Sequence, residues 1–295
     1  MTVRQILRNS TLSPLDLEIL LSYVLKKTRE RILAHPEKKL SKPQLRKFNS
    51  LLQRRKRDEP IAHLTGQKEF YGLGLFVDRN VLIPRPETEL LIETALKNIQ
   101  VDEIFDIGTG SGNIIISIAK NIRAAVRNKI NFSAVDISDK ALAIAKKNAR
   151  KHRVDRSIKF IRSDLLEFIN VKKIVFRKNI LMIANLPYVS PALYKKHRKG
   201  LRFEPKNALL SQKNGLGHYI RLIKQILGIR AEINGAKIRL LLEISPEQKR
   251  PLQKIIKEIL PKSKIYFQRD LAGKWRMADI RFDQIDPKTK DKKAP

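Results

Sequence analysis

The chain contains no cysteine. That excludes disulfides, thiolate zinc sites and cysteine nucleophiles, and with them redox chemistry by the protein's own side chains. It is compatible with a reducing compartment. Long apolar runs are missing too. The stretch Ile238 to Ile244 is interrupted by Arg239 and Glu243 and falls far short of the roughly 20 residues that span a membrane. The start MTVRQILRNS has no apolar segment followed by a small-residue cleavage site, so no secretory signal is read and a cytoplasmic location is expected. No metal centre is read from the residues.

Acidic residues are scarce: 29 Asp and Glu against 62 Lys and Arg leave a net charge of +33. Such a potential favours polyanionic company, such as a ribosome or a factor that works on one. Lysine used freely on solvent-facing positions explains the same number, because the basic residues run along the whole length and form no single arm. Charge alone names no substrate. What is present suffices for folding: 42% of the 295 residues are hydrophobic and 31% charged, and a chain of this size buries roughly three quarters of its unfolded surface. One or two domains fit that length.

Residues 1 to 65 show apolar positions at helical spacing, as in Leu15, Ile19, Leu20, Val24 and Leu25. Ser13-Pro14 before Asp16 and Glu18 reads as a helix start, since serine caps free amides, proline suits the first turn and acids favour the positive dipole end. Ser41-Lys42-Pro43 opens a second helix, and a small helical bundle is expected. From Glu69 to Arg85 aromatic and β-branched residues punctuated by Gly72, Gly74 and Asn80 predict a hairpin connector. Pro84 and Pro86 end it, and Glu87 to Ile99 resumes a helical pattern. From Ile104 onward, seven short apolar runs alternate with amphipathic helices, which predicts a mostly parallel sheet covered on both faces. The short LAGKWRM loop between the last two runs makes one of them antiparallel. The tail DPKTKDKKAP has no apolar anchor and is expected to be mobile.

Three motifs fall at successive strand ends. The run Ile104 to Ile107 leads into Gly108-Thr109-Gly110-Ser111-Gly112 and then a helix, and glycine lets a backbone approach a ligand where a Cβ would collide. The spacing G-x-G-x-G departs from the dinucleotide fingerprint. Asp136 ends the next strand with a carboxylate able to accept both hydroxyls of a ribose. Ser163-Asp164-Leu165 ends the third and offers an acceptor for an adenine amino group and an apolar wall for its face. A tight turn, a helix cap and a solvated strand end are the structural alternatives for these three. A fourth motif, Asn185-Leu186-Pro187-Tyr188, stands on the same rim. The asparagine carbonyl and the carbonyl before proline supply two acceptors for one planar NH2 group, with Tyr188 packed against its plane. Orientation and exclusion of water would then aim that nitrogen at an electrophilic methyl. A strand-end turn with a buried tyrosine is the plainer alternative.

GTGSG, VDIS followed by ALAIAKKNA, and NLPY resemble class I S-adenosylmethionine-dependent methyltransferases that act on planar amino groups. EPIAHLTGQKEFYGL, VLIPRPETELLIE, EPKNALL with NGLGHYIRLI, LLLEIS and DLAGKWR resemble more specifically the release-factor glutamine methyltransferases, the HemK/PrmC family. The likeness covers nearly the whole chain. It implies an α/β fold: a Rossmann-like seven-stranded methyltransferase sheet with a small N-terminal helical domain and a β-hairpin linker. The implied division is a substrate-docking domain at 1–68, the linker at 69–86, the methyltransferase domain at 87–285 and a basic flexible tail at 286–295. The implied reaction is N5-methylation of the glutamine side chain in the GGQ loop of peptide chain release factors, with S-adenosyl-L-methionine as cofactor and no membrane partner.

By that resemblance Gly108, Thr109, Gly110, Ser111 and Gly112 match the cofactor turn, and Asp136 the ribose carboxylate. Asp164, Leu165 and Asn185 complete the cofactor site. Asn185, Pro187 and Tyr188 match the catalytic amide clamp, with Leu186 among the substrate-binding positions. Leu186 departs from the family's usual N-P-P-Y, Leu165 stands where relatives are often aromatic, and Trp275 occupies a usually polar place. Glu87 and Glu89 line the cleft by analogy, or serve only as helix-start acids. N-L-P-Y together with +33 also resembles ribosomal RNA adenine-N6 methyltransferases, although their helical domain usually follows the catalytic one. A glutamine methyltransferase for a ribosomal protein would share the same pocket, and the basic surface allows ribosome or RNA contact. An RNA-binding protein that has lost turnover is a further alternative, against which the intact clamp and glycine turn argue.

Overall fold

Ser13 accepts a hydrogen bond from the Asp16 amide at 3.2 Å and opens the helix Pro14–Leu25 in the computed structural model, which describes residues 1–8, 12–97, 99–172, 176–229 and 235–282. Ser41 opens Lys42–Lys56 with a capping box, its hydroxyl taking the Gln44 amide while the Gln44 side chain takes the Ser41 amide. These helices bury Leu17, Leu20, Leu21, Val24, Phe48 and Leu51 in one apolar cluster. Leu15, expected on that inward stripe, is 52% exposed. The buried stripe runs through Leu17 instead, three residues before Leu20 and four before Leu21.

The hairpin is shorter than the expected Glu69 to Arg85. Strand β1 (Gln67–Phe70) pairs antiparallel with β2 (Leu73–Phe76) around Tyr71 and Gly72, both at positive φ (49° and 70°). Two positive-φ residues make the tight turn whose twist matches paired strands, and this register ends the pair at Gln67 opposite Phe76. The Val77 amide still reaches the Gly66 carbonyl at 3.2 Å, and residues 78–85 lead on to the sheet domain. Val77, Val81 and Ile83 bury against Ala62 and Ala141, and the Ile83 amide donates to Glu204 Oε2 at 2.9 Å. Asn148, wholly buried, fastens the hairpin to the sheet domain. Its Oδ1 accepts the Phe76 amide at 2.7 Å, and its Nδ2 donates to the carbonyls of Phe76 and Ser111.

The seven expected strands are β3 (Glu103–Ile107), β4 (Asn131–Asp136), β5 (Ile158–Arg162), β6 (Asn179–Ala184), β7 (Lys237–Glu243), β8 (Lys264–Arg269) and β9 (Trp275–Phe282). They lie in the order β5-β4-β3-β6-β7-β9-β8. Strand β9 runs antiparallel to both neighbours and the other pairs are parallel. Alternate residues feed two cores: Phe105, Ile107 and Met182 on one face, Ile104, Phe132 and Leu181 on the other. Order reverses between β3 and β6, which leaves a crevice at their carboxyl ends.

Trp275 has a place here. Its ring carries Lys249 Nζ at 3.4 Å and the Arg269 guanidinium at 4.3 Å from the centroid, and Phe267 meets it edge-on. This cation–aromatic stack ties the β8–β9 hairpin together. The tail 286–295 lies outside the described residues. Among the described residues no helix is long and apolar enough to cross a membrane.

Candidate active site

Strand register alone builds most of the site. Ile107 is opposite Val135 on one side and Ala184 on the other, and Ala184 is opposite Leu242. The residues one step further, Asp136, Gly108, Asn185 and Glu243, therefore stand in a row along the carboxyl edge. A cleft of about 300 Å³ opens there, lined by Gly108, Thr109, Gly110, Ser111, Asp136, Asp164, Leu165, Asn185, Leu186 and Pro187, together with Thr88, Arg85, His218 and Arg221. That volume is at the lower end of small-molecule sites.

Gly108, Gly110 and Gly112 have φ of 76°, 55° and 79°, a region L side chains rarely enter. Gly112 does not line the cleft. A Cβ on it would stand 2.7 Å from Ile116 Cδ1 and 3.2 Å from Ala145 Cβ, so its glycine serves close helix packing. Beneath the turn lies Asp106, fully buried, whose Oδ2 accepts from the Thr109 hydroxyl at 2.7 Å and the Ile115 amide at 3.3 Å. Burial pushes its carboxyl up to about 7 against those bonds.

Asp136 Oδ2 accepts the Gly110 amide and Oδ1 the Ser138 amide, both at 2.9 Å. Burial raises its pKa and these backbone bonds oppose the rise. The cap of the following helix is Ser138, whose hydroxyl takes the Ala141 amide at 3.2 Å, so Asp136 is not the helix cap. Asp164 is ion-paired with Arg221 at 2.6 Å, and Leu165 is buried at a φ of 53°.

The asparagine motif is held from behind. Asn185 Nδ2 donates to Thr88 Oγ1 at 3.1 Å and to Glu243 Oε2 at 2.9 Å. The Thr88 hydroxyl donates to the same Glu243 oxygen at 2.6 Å, and the Tyr188 hydroxyl donates to Glu243 Oε1 at 3.3 Å. Asn185 Oδ1 is buried without a partner. The buried Tyr219 hydroxyl donates to the carbonyl of Glu243 and lies 3.3 Å from that of Leu186. Burial drives the Glu243 carboxyl up to about 7, with the Thr88 bond and Arg276 opposing it. Burial and the neighbouring Glu243 raise the Tyr188 phenol. Tyr188 does not line the cleft.

Glu87 and Glu89, at the start of the helical segment that follows Pro86, do not line the cleft. Glu89 accepts the Tyr71 amide at 3.0 Å and supports the hairpin, and the threonine between the acids reaches the site. Thr88, Tyr219 and Glu243 are the polar residues that motif reading passed over. Each lay in a block quoted for resemblance, RPETE, NGLGHY and LLLEIS, and a carboxylate closing an apolar strand run was the available signal.

The catalytic domain of hMettl16 in complex with MAT2A 3'UTR hairpin 6 superposes with a TM-score of 0.56 at 17% identity, covering 83% of this chain and 84% of that one. The shared architecture is that of a methyltransferase, and a family model described as "Methyltransferase domain" matches residues 101–203. A second, described as "PrmC N-terminal domain", matches residues 2–66. The release factor glutamine methyltransferase of Buchnera aphidicola subsp. Acyrthosiphon pisum (strain APS) is 40% identical over 209 residues, 70% of this chain and 71% of that protein. That of Coxiella burnetii (strain RSA 493 / Nine Mile phase I) is 35% identical over 270 residues, 90% and 91%. The chain belongs to the release factor glutamine methyltransferase family.

Proposed function

We propose that this protein transfers a methyl group from S-adenosyl-L-methionine to the side-chain nitrogen (N5) of the glutamine in the GGQ motif of peptide chain release factors. The observation that carries the reading is Asn185 Oδ1, buried, partnerless and set beside the glycine turn. A buried acceptor left unpaired costs free energy unless a ligand completes it. The rim also fits the cofactor: Asp136 would hold the ribose hydroxyls, Asp164 and Leu165 the adenine, and the bare backbone of residues 108–111 the rest. When bound, that cofactor supplies an electrophilic methyl on a sulfonium.

The chain's own groups do the remaining work. Asn185 Oδ1 and the free lone pair of the Leu186 carbonyl accept the two hydrogens of the glutamine amide, which aims its nitrogen and excludes water from it. Both carbonyl dipoles face the positive charge that develops there. No side chain needs to act as a base early, and the amide proton passes to solvent as the methylated product leaves the cleft. Pro187 restrains the backbone that presents the Leu186 carbonyl.

Residues 1–68 are the substrate-docking domain in this reading, 69–86 the linker and 87–285 the catalytic domain, in a cytoplasmic enzyme. Support comes from contacts between the helical unit and the segment after the asparagine motif: Arg202 donates to the Arg57 carbonyl and Lys199 pairs with Asp58 at 3.5 Å. Exposed Lys195, Lys196 and Lys199 on the helix Pro191–Leu201 favour an anionic partner surface, ribosomal RNA included.

The test offers release factor, its GGQ→GGA variant, ribosomal protein and ribosomal RNA in competition for a labelled methyl. Label on the release factor and not on the variant is expected. Equal labelling of both forms, or label only on RNA or ribosomal protein, overturns the proposal.

A further inference from the structure

An asparagine side chain offers a carbonyl on one side and an amino group on the other, nearly equal in shape and opposite in hydrogen bonding. Which side faces the cleft decides whether Asn185 can accept a substrate N–H. Nothing in Asn185 itself determines this. The determinant is the pair of oxygens behind it. Glu243 Oε2 at 2.9 Å and Thr88 Oγ1 at 3.1 Å take both hydrogens of Nδ2. The Thr88 proton is committed to Glu243 at 2.6 Å, so the threonine oxygen faces Asn185 as an acceptor. A flipped amide would set Oδ1 against Glu243 Oε2, acceptor against acceptor, and leave the amide oxygen unpaired in a buried place while Oε2 keeps only the Thr88 hydroxyl.

The same glutamate reaches the second acceptor through its main chain. The Tyr219 hydroxyl gives its one hydrogen to the Glu243 carbonyl and stands 3.3 Å from the Leu186 carbonyl, so the two strand ends pack on one buried side chain. Tyr188 closes the group on Glu243 Oε1 at 3.3 Å. The parallel register that places Ala184 opposite Leu242 makes Asn185 and Glu243 neighbours by construction.

We propose that Glu243 is a positioning residue for methyl transfer, its carboxylate and Thr88 locking the Asn185 amide so that Oδ1 alone faces the cleft. The inference rests on the amide-clamp reading above, and it assigns the glutamate no contact with substrate. Glu243→Gln preserves the lock, because one amide oxygen still accepts from Thr88 and Asn185 while its NH2 meets the Tyr188 oxygen. Glu243→Leu removes it. Thr88→Val removes one of the two anchors with little change in shape.

Two readouts decide the matter. The first is hydrogen exchange of the Asn185 side-chain NH2, followed by 15N NMR and assigned by its loss in Asn185→Asp. Protection in wild type and Glu243→Gln, with faster exchange in Glu243→Leu and Thr88→Val, is expected. Equal exchange in wild type and Glu243→Leu overturns the proposal, whether or not any substrate is methylated. The second is kinetic. Glu243→Leu should lower kcat about 100-fold, as misorientation of a reacting group does, with cofactor affinity by calorimetry nearly unchanged. Glu243→Gln should recover to within about tenfold of wild type, the difference between a charged and a neutral acceptor. Wild-type kcat in Glu243→Leu, or a Glu243→Gln as inactive as Glu243→Leu, sinks the positioning role. Should Glu243→Leu fail to fold, Thr88→Val carries both readouts, and wild-type exchange in that variant is equally fatal. Failure of the wild type to label a release factor would count against the proposed function alone, since the exchange experiment needs no substrate.

Discussion

A Cβ on Gly108 would stand 2.8 Å from Cδ2 of Leu186. The glycine turn and the asparagine motif are thus in direct contact, and Leu186 fills the space beneath the turn. The residue is 3% exposed. Gly108→Ala combines this collision with a strained φ of 76°, so cofactor affinity measured by calorimetry should fall at least about tenfold, the equivalent of a modest backbone strain. Leu186→Ala should cost about 2–4 kcal/mol in denaturant unfolding, as a buried leucine truncation does.

Asn185→Ala deletes the partnerless acceptor and leaves the glycine turn untouched. Turnover should drop on the order of a thousandfold, the scale for losing one polar group aimed at a transition state, while calorimetry still finds cofactor binding. Unchanged turnover would refute the clamp.

Asp136→Ala should act on affinity before turnover. Besides facing the cleft, this carboxylate accepts the amides of Gly110 and Ser138, so its loss frees the turn as well as the proposed ribose contact. A cofactor affinity at least about tenfold weaker is expected. Calorimetry that detects no loss removes Asp136 from the cofactor site.

Gly215 guards the back of the motif. A Cβ there would collide with the Tyr188 carbonyl and stand 2.6 Å from Gln248 Nε2, at a φ of 87°. Gly215→Ala should therefore destabilise the fold by about 2 kcal/mol and reduce methyl transfer. Gly228→Ala is the control, since a Cβ there meets nothing within 4 Å. It should be neutral or stabilising by up to about 1 kcal/mol, as alanine is in a helix.

Stability should also depend on pH through Asp106 and Glu243. Burial lifts both to about 7 from ordinary values of 3.8 and 4.5, so the folded state holds these protons more tightly than the unfolded chain. The stabilisation from this source is complete below pH about 4 and is lost as pH rises through about 7. Asp106→Asn keeps an oxygen for Thr109 and Ile115 and cannot ionise. The fall in its Tm between pH 5.5 and 8.5 should be smaller than in wild type. An equal fall in both proteins would assign the pH dependence elsewhere.

Much of this was legible along the chain because it is local. Helix caps at Ser13 and Ser41 need only neighbouring amides, the strand count follows from short apolar runs, and glycines at 108, 110 and 112 announce a turn no other residue adopts cheaply. Asp136 and Asn185 were legible because strand ends in such a sheet converge on one edge. The hairpin's extent was not, since Tyr71 gives no sign of the positive φ that sets the register and ends the pair at Phe76.

Thr88, Asn185 and Glu243 are separated by 97 and 58 residues, and no spacing rule joins them. The sequence by itself determined which side chains carry acceptors, donors and backbone freedom. The direction in which the Asn185 amide points was decided by tertiary structure, because an amide has no preferred face until buried neighbours, brought together by strand register, take the hydrogens of one side and leave the oxygen of the other without a partner.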